Sequence, residues 1–181
     1  MSTEHDRLCE LMDREAIRDC IYRYCRGIDR ADEDALRSAY WPDAHDSHGA
    51  YVGDAEGFVR RAMAAFKRGP RNVHQVTNIL IEFAGPGIAV VESYFNALQR
   101  GPDPNGIVRQ FHLAGRYCDR MERRDGQWRI AERTVIYDWV DAQSPAEAAE
   151  SVRFGVRKPV GAPFPHDVIY ALRERAGIER G

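Results

Sequence analysis

The sequence lacks three features, and each absence excludes a class of protein. No apolar run approaches the roughly 20 residues that cross a bilayer, so we expect no membrane partner. The first residues, MSTEHDRLCELMD, carry charges where a signal peptide needs an apolar core, which predicts a cytoplasmic protein. No basic block occurs, and 26 basic against 28 acidic residues give a net charge of −2, which argues against a nucleic-acid partner.

Cysteine and nucleotide-binding motifs are equally sparse. The four cysteines, Cys9, Cys20, Cys25 and Cys118, form no CxxC pair. We therefore expect reduced thiols that serve in packing, rather than a redox or zinc site. The sequence has no P-loop, no GxGxxG and no recognisable Ser-His-Asp arrangement, so nucleotide chemistry and acyl transfer are not leading candidates.

The chain is long enough to bury a substantial core, since 44% of its 181 residues are hydrophobic. We predict one domain over residues 1–143 and a C-terminal extension over residues 144–181. In the extension, SPAEAAESVRF is typical of a helical turn or two, KPVGAPFP is extended, and HDVIYALRERAGI forms a last short helix. The extension has too little apolar content to fold alone, so it should pack on the domain or on a neighbouring subunit.

The first helix, predicted over Asp13 to Ile28, ends beside an unusual carboxylate. Gly27 should loosen its last turn. Its apolar face consists of Ile17, Cys20, Ile21, Tyr24 and Ile28. Asp29 falls on the flank of this face, beside Cys25, so its carboxylate needs a partner. The alternative is that Asp29 lies at a frayed helix end in water.

Two shorter helices and an irregular segment follow. Asp32 should cap a helix over Glu33 to Tyr40. The segment WPDAHDSHGAYVGD is typical of a loop that leads into a short strand. Asp54 should cap a third helix that stops at Gly69 and Pro70, with Phe58 on its apolar side.

Beyond Pro70 the hydrophobic period becomes that of β-strands. The predicted strands are Asn72–Phe83, Ile88–Gln99, Ile107–Glu122 and Gln127–Asp141. Strands this long must coil strongly, so helices followed by one curled antiparallel sheet predict an α+β fold in which the sheet wraps around the helices. That shape is a cone with an open mouth.

Three stretches of sequence carry a family resemblance: GIDRADEDALRSAYWPDA, VHQVTNILIEF and GRYCDRMERRDGQWRIAERTV. Over roughly residues 8 to 141 the chain resembles the SnoaL-like branch of the NTF2-like superfamily, which implies a cone-shaped α+β barrel with N-terminal helices cradled by a strongly curved sheet. Within that branch it is similar to cofactor-independent lyases, namely hexachlorocyclohexane dehydrochlorinase, scytalone dehydratase, bile-acid 7α-dehydratase and lignin-dimer formaldehyde lyases. The superfamily also contains binding modules and transport factors.

The resemblance implies a catalytic dyad of Asp29 and His74. An imidazole can remove a proton from carbon or oxygen, and a carboxylate on its other nitrogen fixes the tautomer and stabilises the imidazolium. In strand alternation His74 shares a face with Asn72, Val76, Asn78 and Leu80. The alternative is a hydrogen-bonded core histidine.

Further site residues follow from the same resemblance. Tyr24 would donate a proton or orient the substrate, although it could equally be an amphipathic core residue. Arg133 would help to hold a leaving group or an oxyanion. A buried guanidinium needs an anionic partner, which would be Asp29, Glu132 or the substrate.

The walls of the pocket are also implied by the resemblance. Leu113 and Tyr117 match wall positions, and His112 alternates with them and should therefore face away from the cavity.

Four side chains on the irregular segment allow a metal hypothesis. They are Asp43, His45, Asp46 and His48. An i, i+3 spacing does not converge side chains in a loop or strand, so we expect no metal and a solvated loop with His48 at the mouth of the pocket, in contact with substrate.

Two functions therefore fit the sequence. The first is a cofactor-independent lyase, using no cofactor and no metal, that eliminates water, halide or formaldehyde from a small, hydrophobic, ring-containing alcohol. The second is a non-catalytic module that binds a small molecule or a protein. We also expect a homodimer or homotrimer, because the outer sheet face would carry apolar side chains, predicted as Val73, Ile79, Ile81 and Phe83.

Overall fold

The structure, a computed structural model, describes residues 3–67, 69, 71–103, 105–143, 155 and 159–178. The helices are α1 Glu4–Arg30, α2 Glu33–Ser38, α3 Ala55–Phe66 and α4 Val168–Arg175. The strands are β1 Tyr40–His48, β2 Tyr51–Asp54, β3 Arg71–Gly85, β4 Ile88–Pro102, β5 Val108–Arg124 and β6 Gln127–Gln143.

Side-chain caps determine where the helices begin. The predicted caps of α2 and α3 are confirmed, because Asp32 accepts the amide of Ala35 and Asp54 accepts that of Gly57. The predicted start of α1 at Asp13 is wrong. Thr3 and Asp6 form a capping box that starts the helix at Glu4. Its first turns carry Leu8, Leu11 and Met12, exposed apolar residues at helical spacing that the prediction did not use.

One six-stranded sheet, in the order β2-β1-β6-β5-β4-β3, forms the other layer. β1 runs parallel to β6 and every other neighbouring pair is antiparallel. The sheet curves without closing, and α1 packs against β3 and β6 on its inner side. The predicted α+β cone is therefore confirmed.

The short strand predicted in this segment is present as β2, but the loop predicted before it is instead strand β1. Tyr40 already pairs with Ile130 of β6, so α2 ends at Ser38 rather than at Tyr40. Inward Ala44 and Asp46 alternate with outward Asp43 and His45. Because three of these four residues are polar or charged, the period of two carried no hydrophobic signal.

A β-bulge in β3 changes which side chains face the core. Register with β4 shifts between Thr77 and Leu80, and Asn78 adopts φ 48°. The predicted single alternation through β3 is therefore wrong beyond Thr77. Before the bulge the inner positions are Asn72, His74 and Val76, and after it they are Ile79, Ile81 and Phe83. Leu80 is 54% exposed, whereas Ile81 is 4% exposed.

Gly27 allows α1 and α2 to approach each other closely. A Cβ atom at Gly27 would lie 2.6 Å from the backbone nitrogen of Leu36. The helix continues through Gly27 to Arg30, so the expected loosening of the last turn is wrong, and the glycine serves this contact.

The described part of the C-terminal extension lies against the end of α1. The backbone N–H of Phe164 donates to the carbonyl of Arg30 at 2.6 Å, and the Arg30 Nε lies 3.3 Å from Asp167. Asp167 also caps α4, the predicted last helix. The helical turn predicted over SPAEAAESVRF lies outside the described residues. Within the described chain, no helix has the length and apolarity needed to cross a membrane.

Candidate active site

The end of α1 and the beginning of β3 bring Asp29 and His74 together. The His74 backbone N–H donates to Asp29 Oδ2 at 2.9 Å, and the His74 Nδ1 lies 2.6 Å from Asp29 Oδ1. Their side chains are 13% and 6% exposed. A carboxylate at a helix C-terminus faces an unfavourable helix dipole, so these two contacts supply the partners that Asp29 needs.

Because Nδ1 of His74 contacts Asp29, Nε2 is the ring nitrogen that remains for contact with another molecule. When Nδ1 carries the proton that is donated to Asp29, Nε2 holds the lone pair. His74 lines a cavity of about 430 Å³, and a neutral imidazole with a free ring nitrogen can accept a proton.

Aromatic side chains supply much of the cavity lining. They come from β2, α3, β5 and β6, and are Tyr51, Phe58, Phe66, Phe111 and Tyr137. Ile28 and Asn72 also line it, and arginines lie at Arg61, Arg100 and Arg109. A pocket of this size with aromatic walls and a few polar groups suits a small ring-containing molecule.

A second histidine, His48 of β1, lines the same cavity. Its ring stacks on Phe58 at a centroid distance of 4.5 Å. The His48 Nδ1 lies 3.4 Å from Oδ1 of Asp46, a fully buried carboxylate. The other oxygen, Asp46 Oδ2, accepts a hydrogen bond from the Tyr40 hydroxyl at 2.6 Å.

Arg133 lies in a fully buried cluster behind this lining. It donates from Nε and Nη2 to the two carboxylate oxygens of Asp119, at 2.7 and 2.6 Å. Its guanidinium carbon lies 4.1 Å from the ring centroids of both Tyr24 and Tyr117, which themselves meet edge to face at 5.5 Å. Burial opposes the charge, but the ion pair with Asp119 outweighs it and raises the pKa of Arg133 well above its ordinary value.

The predicted partners of Arg133 are therefore wrong. Asp29 is bonded to His74, and Glu132 is exposed beside Arg120. The true partner, Asp119, lies two residues beyond Tyr117 on the inner face of β5, so strand alternation alone carried a signal for it.

Tyr24 and Tyr117 lie one side-chain layer behind the cavity. Tyr24 stacks on Phe58 at 6.5 Å, and Tyr117 stacks on Phe95 at 4.6 Å. Burial raises the pKa of Tyr24 well above its ordinary value, and its hydroxyl has no hydrogen-bond partner in the described chain. Leu113 is buried among the core residues rather than placed along the cavity.

The structure thus brings His74 and His48 to the cavity, with Asp29 bonded to His74, and separates Tyr24, Tyr117, Leu113 and Arg133 from it. Sequence reasoning did not assign the lining residues Phe58 and Tyr137 to a pocket. Phe58 lies on the apolar side of α3, as predicted, but an apolar helix face does not distinguish core from pocket wall.

The metal hypothesis finds no support in the geometry. Asp43 and His45 point outward from β1, whereas Asp46 and His48 point inward. In the described residues, no group of three or more His, Cys, Asp or Glu side chains is arranged to hold a metal ion.

The cysteines do not contribute to the cavity lining. All four are free, and Cys9 is exposed. Burial raises the pKa of Cys20 to about 11 and that of Cys25 to about 12, so both thiols stay protonated at neutral pH.

A larger depression of about 870 Å³ lies elsewhere, between α1, α2 and the C-terminal helix. Its walls mix arginines with carboxylates, among them Arg23, Arg26, Asp19 and Asp34. We take the smaller cavity as the candidate site, because the two histidines, each beside a carboxylate, lie there.

A curved, unclosed sheet that packs around a long helix is the architecture of the α+β cone proteins. Residues 9–134 match the SnoaL-like domain family, and the chain belongs to that family. A comparison with curated proteins found no match.

Solved structures extend the comparison. A hexachlorocyclohexane dehydrochlorinase of type 2 is 25% identical, with a TM-score of 0.66, over 78% of this chain and 96% of that one. A scytalone dehydratase-like protein from Novosphingobium aromaticivorans is 21% identical, with a TM-score of 0.64, over 78% and 97%. A type 3 dehydrochlorinase from Novosphingobium barchaimii is 24% identical, with a TM-score of 0.64, over 78% and 97%.

Proposed function

We propose that this protein is a cofactor-independent lyase that eliminates water, or a related small group, from a small, hydrophobic, ring-containing alcohol. The observation that carries the proposal is the 2.6 Å contact between Asp29 Oδ1 and His74 Nδ1 at the wall of the cavity. His74 removes the proton through Nε2, and Asp29 orients the ring and stabilises the imidazolium.

The cavity lining supports the proposed substrate class. Phe58, Phe111 and Tyr137 offer aromatic surfaces to a ring, and Asn72 offers an amide that can hydrogen-bond a hydroxyl or carbonyl. The type 2 dehydrochlorinase, a protein of the same fold at 25% identity, is named for an elimination. Fold alone does not determine chemistry, so the proposal depends on the pairing of Asp29 with His74.

Tyr24, Tyr117 and Arg133 hold the lining in place in this proposal. The charged guanidinium contacts both tyrosine rings and fixes them, and Tyr24 in turn supports Phe58. Removing Arg133 alone would leave Asp119 buried without a partner charge, which is costly. Leu113 supports the cavity from the core.

Substitution of His74 tests the proposal directly. We expect His74→Ala to fold and to lose at least about 10²-fold in kcat, because no other group takes the place of the base beside Asp29. Turnover is measured by mass spectrometry, as loss of one water, one hydrogen halide or one formaldehyde from a panel of hydroxylated and halogenated aromatic and polycyclic compounds.

His112→Ala is the matched control, since His112 lies on the opposite face of β5 from the buried residues. It should retain wild-type activity and a wild-type melting curve. A His74→Ala variant with more than about a tenth of wild-type kcat would exclude His74 as the base. A wild-type protein that binds panel compounds without converting any would favour the binding module instead.

A further inference from the structure

Among the described residues, the buried carboxylate of Asp46 has no charged partner other than His48. Asp46 and Asp119 are both buried carboxylates, and Arg133 is a single guanidinium that gives two donors to Asp119. Asp46 Oδ1 has no hydrogen-bond partner in the described chain, and His48 Nδ1 lies 3.4 Å from it. A buried carboxylate is costly unless a charge or a donor compensates it. Tyr40 supplies one donor to Asp46, and His48 is the side chain beside the other oxygen that can carry a positive charge.

The curvature of the sheet places His48 and His74 at one cavity. β1 and β3 are separated by three strands in the sheet, yet His48 and His74 line the same space. Each imidazole has a carboxylate beside its Nδ1, Asp29 in one case and Asp46 in the other.

These two rings are the groups suited to proton transfer among the described residues of the lining. The arginines stay charged at all relevant pH values. Burial raises the pKa of Tyr51 and of Tyr137 above the ordinary phenol value, so both phenols are far weaker acids than an imidazolium.

We propose that His48 is the general acid of the elimination and that the substrate therefore loses oxygen, as water, rather than halide. This inference rests on the proposed function and assigns the residue that protonates the leaving group. A halide leaves as an anion without a proton, whereas hydroxide is a poor leaving group that must be protonated as it departs.

In the step, His74 Nε2 takes the proton from carbon and the electron pair of that C–H bond forms the new C=C bond. The C–O bond breaks, and its electron pair stays on oxygen. This oxygen takes the proton from Nε2 of His48, the ring nitrogen that does not face Asp46. The products are an alkene and one water. Transfer of a proton from His74 to His48 through solvent restores the starting state, so no oxidant, reductant or co-reactant is consumed.

Changing the leaving group of the substrate distinguishes a general acid from a residue that only supports the structure. The probes are a β-hydroxy aryl ketone and the same ketone with p-nitrophenoxide in place of hydroxide, a leaving group that needs no proton. We expect His48→Gln to lower kcat by at least about 10²-fold for the hydroxy ketone and by less than about threefold for the nitrophenoxy ketone. His74→Ala should abolish both reactions.

His45→Gln is the control, because it makes the same change on the same strand at an exposed position. If His48→Gln lowers kcat equally for both ketones, or for neither, His48 is not the general acid. The proposed lyase function still holds in that case, provided that both reactions depend on His74. A wild-type protein that is inert on both ketones, or a reaction that is indifferent to His74, overturns the proposed function and this inference with it.

Discussion

At the scale of single residues, Asp29 links a helix end to the proposed base through two different bonds. One oxygen accepts the His74 backbone N–H and the other contacts the His74 ring. The backbone bond holds the strand against α1, whereas the ring contact fixes the tautomer. The two bonds can therefore be separated by a substitution that keeps hydrogen bonding and removes charge.

We expect Asp29→Asn to lower kcat by about 10²- to 10⁴-fold with little change in KM. The amide oxygen can still accept one hydrogen bond, but a neutral amide cannot balance the imidazolium that forms when His74 takes a proton. The measurement is steady-state kinetics on the best compound of the panel, together with a melting curve that shows the fold to be intact.

Asp34→Asn, in the exposed first turn of α2, is the matched control and should leave both parameters unchanged. An Asp29→Asn variant with wild-type kcat would mean that the charge of Asp29 does not act on the reaction, and the dyad would then be structural.

The sequence and the resemblance together predicted Asp29 and His74, because both lie in stretches that resemble the family. They could not predict which buried charges pair. Arg133 had Asp29 and Glu132 as candidate partners. Strand alternation places Asp119 on the inner face of β5, but only the register between β5 and β6 brings it to Arg133. Asp46 gave no sign of burial, because it lies in a polar segment.

At the scale of secondary structure, the contact between α1 and α2 depends on one missing side chain. At Gly27 a methyl group would meet the backbone of Leu36, which cannot move as a flexible side chain could. The glycine therefore positions α2, and with it the start of β1, relative to α1.

We expect Gly27→Ala to destabilise the protein, although alanine is the better helix former. The overpacking should cost about 1–3 kcal/mol, against a gain of ~1 kcal/mol in helix propensity. Urea denaturation measures the difference in the free energy of unfolding. Arg26→Ala, at the adjacent exposed position, should change stability by less than about 0.5 kcal/mol. A Gly27→Ala variant as stable as the Arg26→Ala control would contradict the close contact.

Most strands were predictable from their hydrophobic period, and their observed limits differ by a few residues at most. The bulge in β3 was not predictable. Thr77, Ile79 and Leu80, which surround Asn78, are side chains that occur on either face of a sheet. A period of two cannot show where one extra residue is inserted. The consequence is that Ile79, Ile81 and Phe83 turn inward, although they were predicted to face outward.

At the scale of the whole molecule, the outer face of the sheet still exposes apolar side chains after this correction, next to ion pairs such as that of Glu92 and Arg116. β4 presents Val90, Tyr94 and Leu98 outward, at 50%, 42% and 48% exposure. Val73, 50% exposed, pairs with Leu98 across the neighbouring strand. An apolar strip along a long sheet is typical of a surface that packs against another copy.

We therefore expect a stable homodimer or homotrimer at micromolar concentration, measured by light scattering. Combining Val90→Lys with Leu98→Lys should shift the protein to monomer, because two buried ammonium groups without partners would cost several kcal/mol in the interface. Val52→Lys, on β2 at the other end of the sheet and 67% exposed, is the control and should leave the assembly intact. A wild-type protein that is monomeric at micromolar concentration would contradict the prediction, and an unchanged assembly in the double variant would move the interface away from β4.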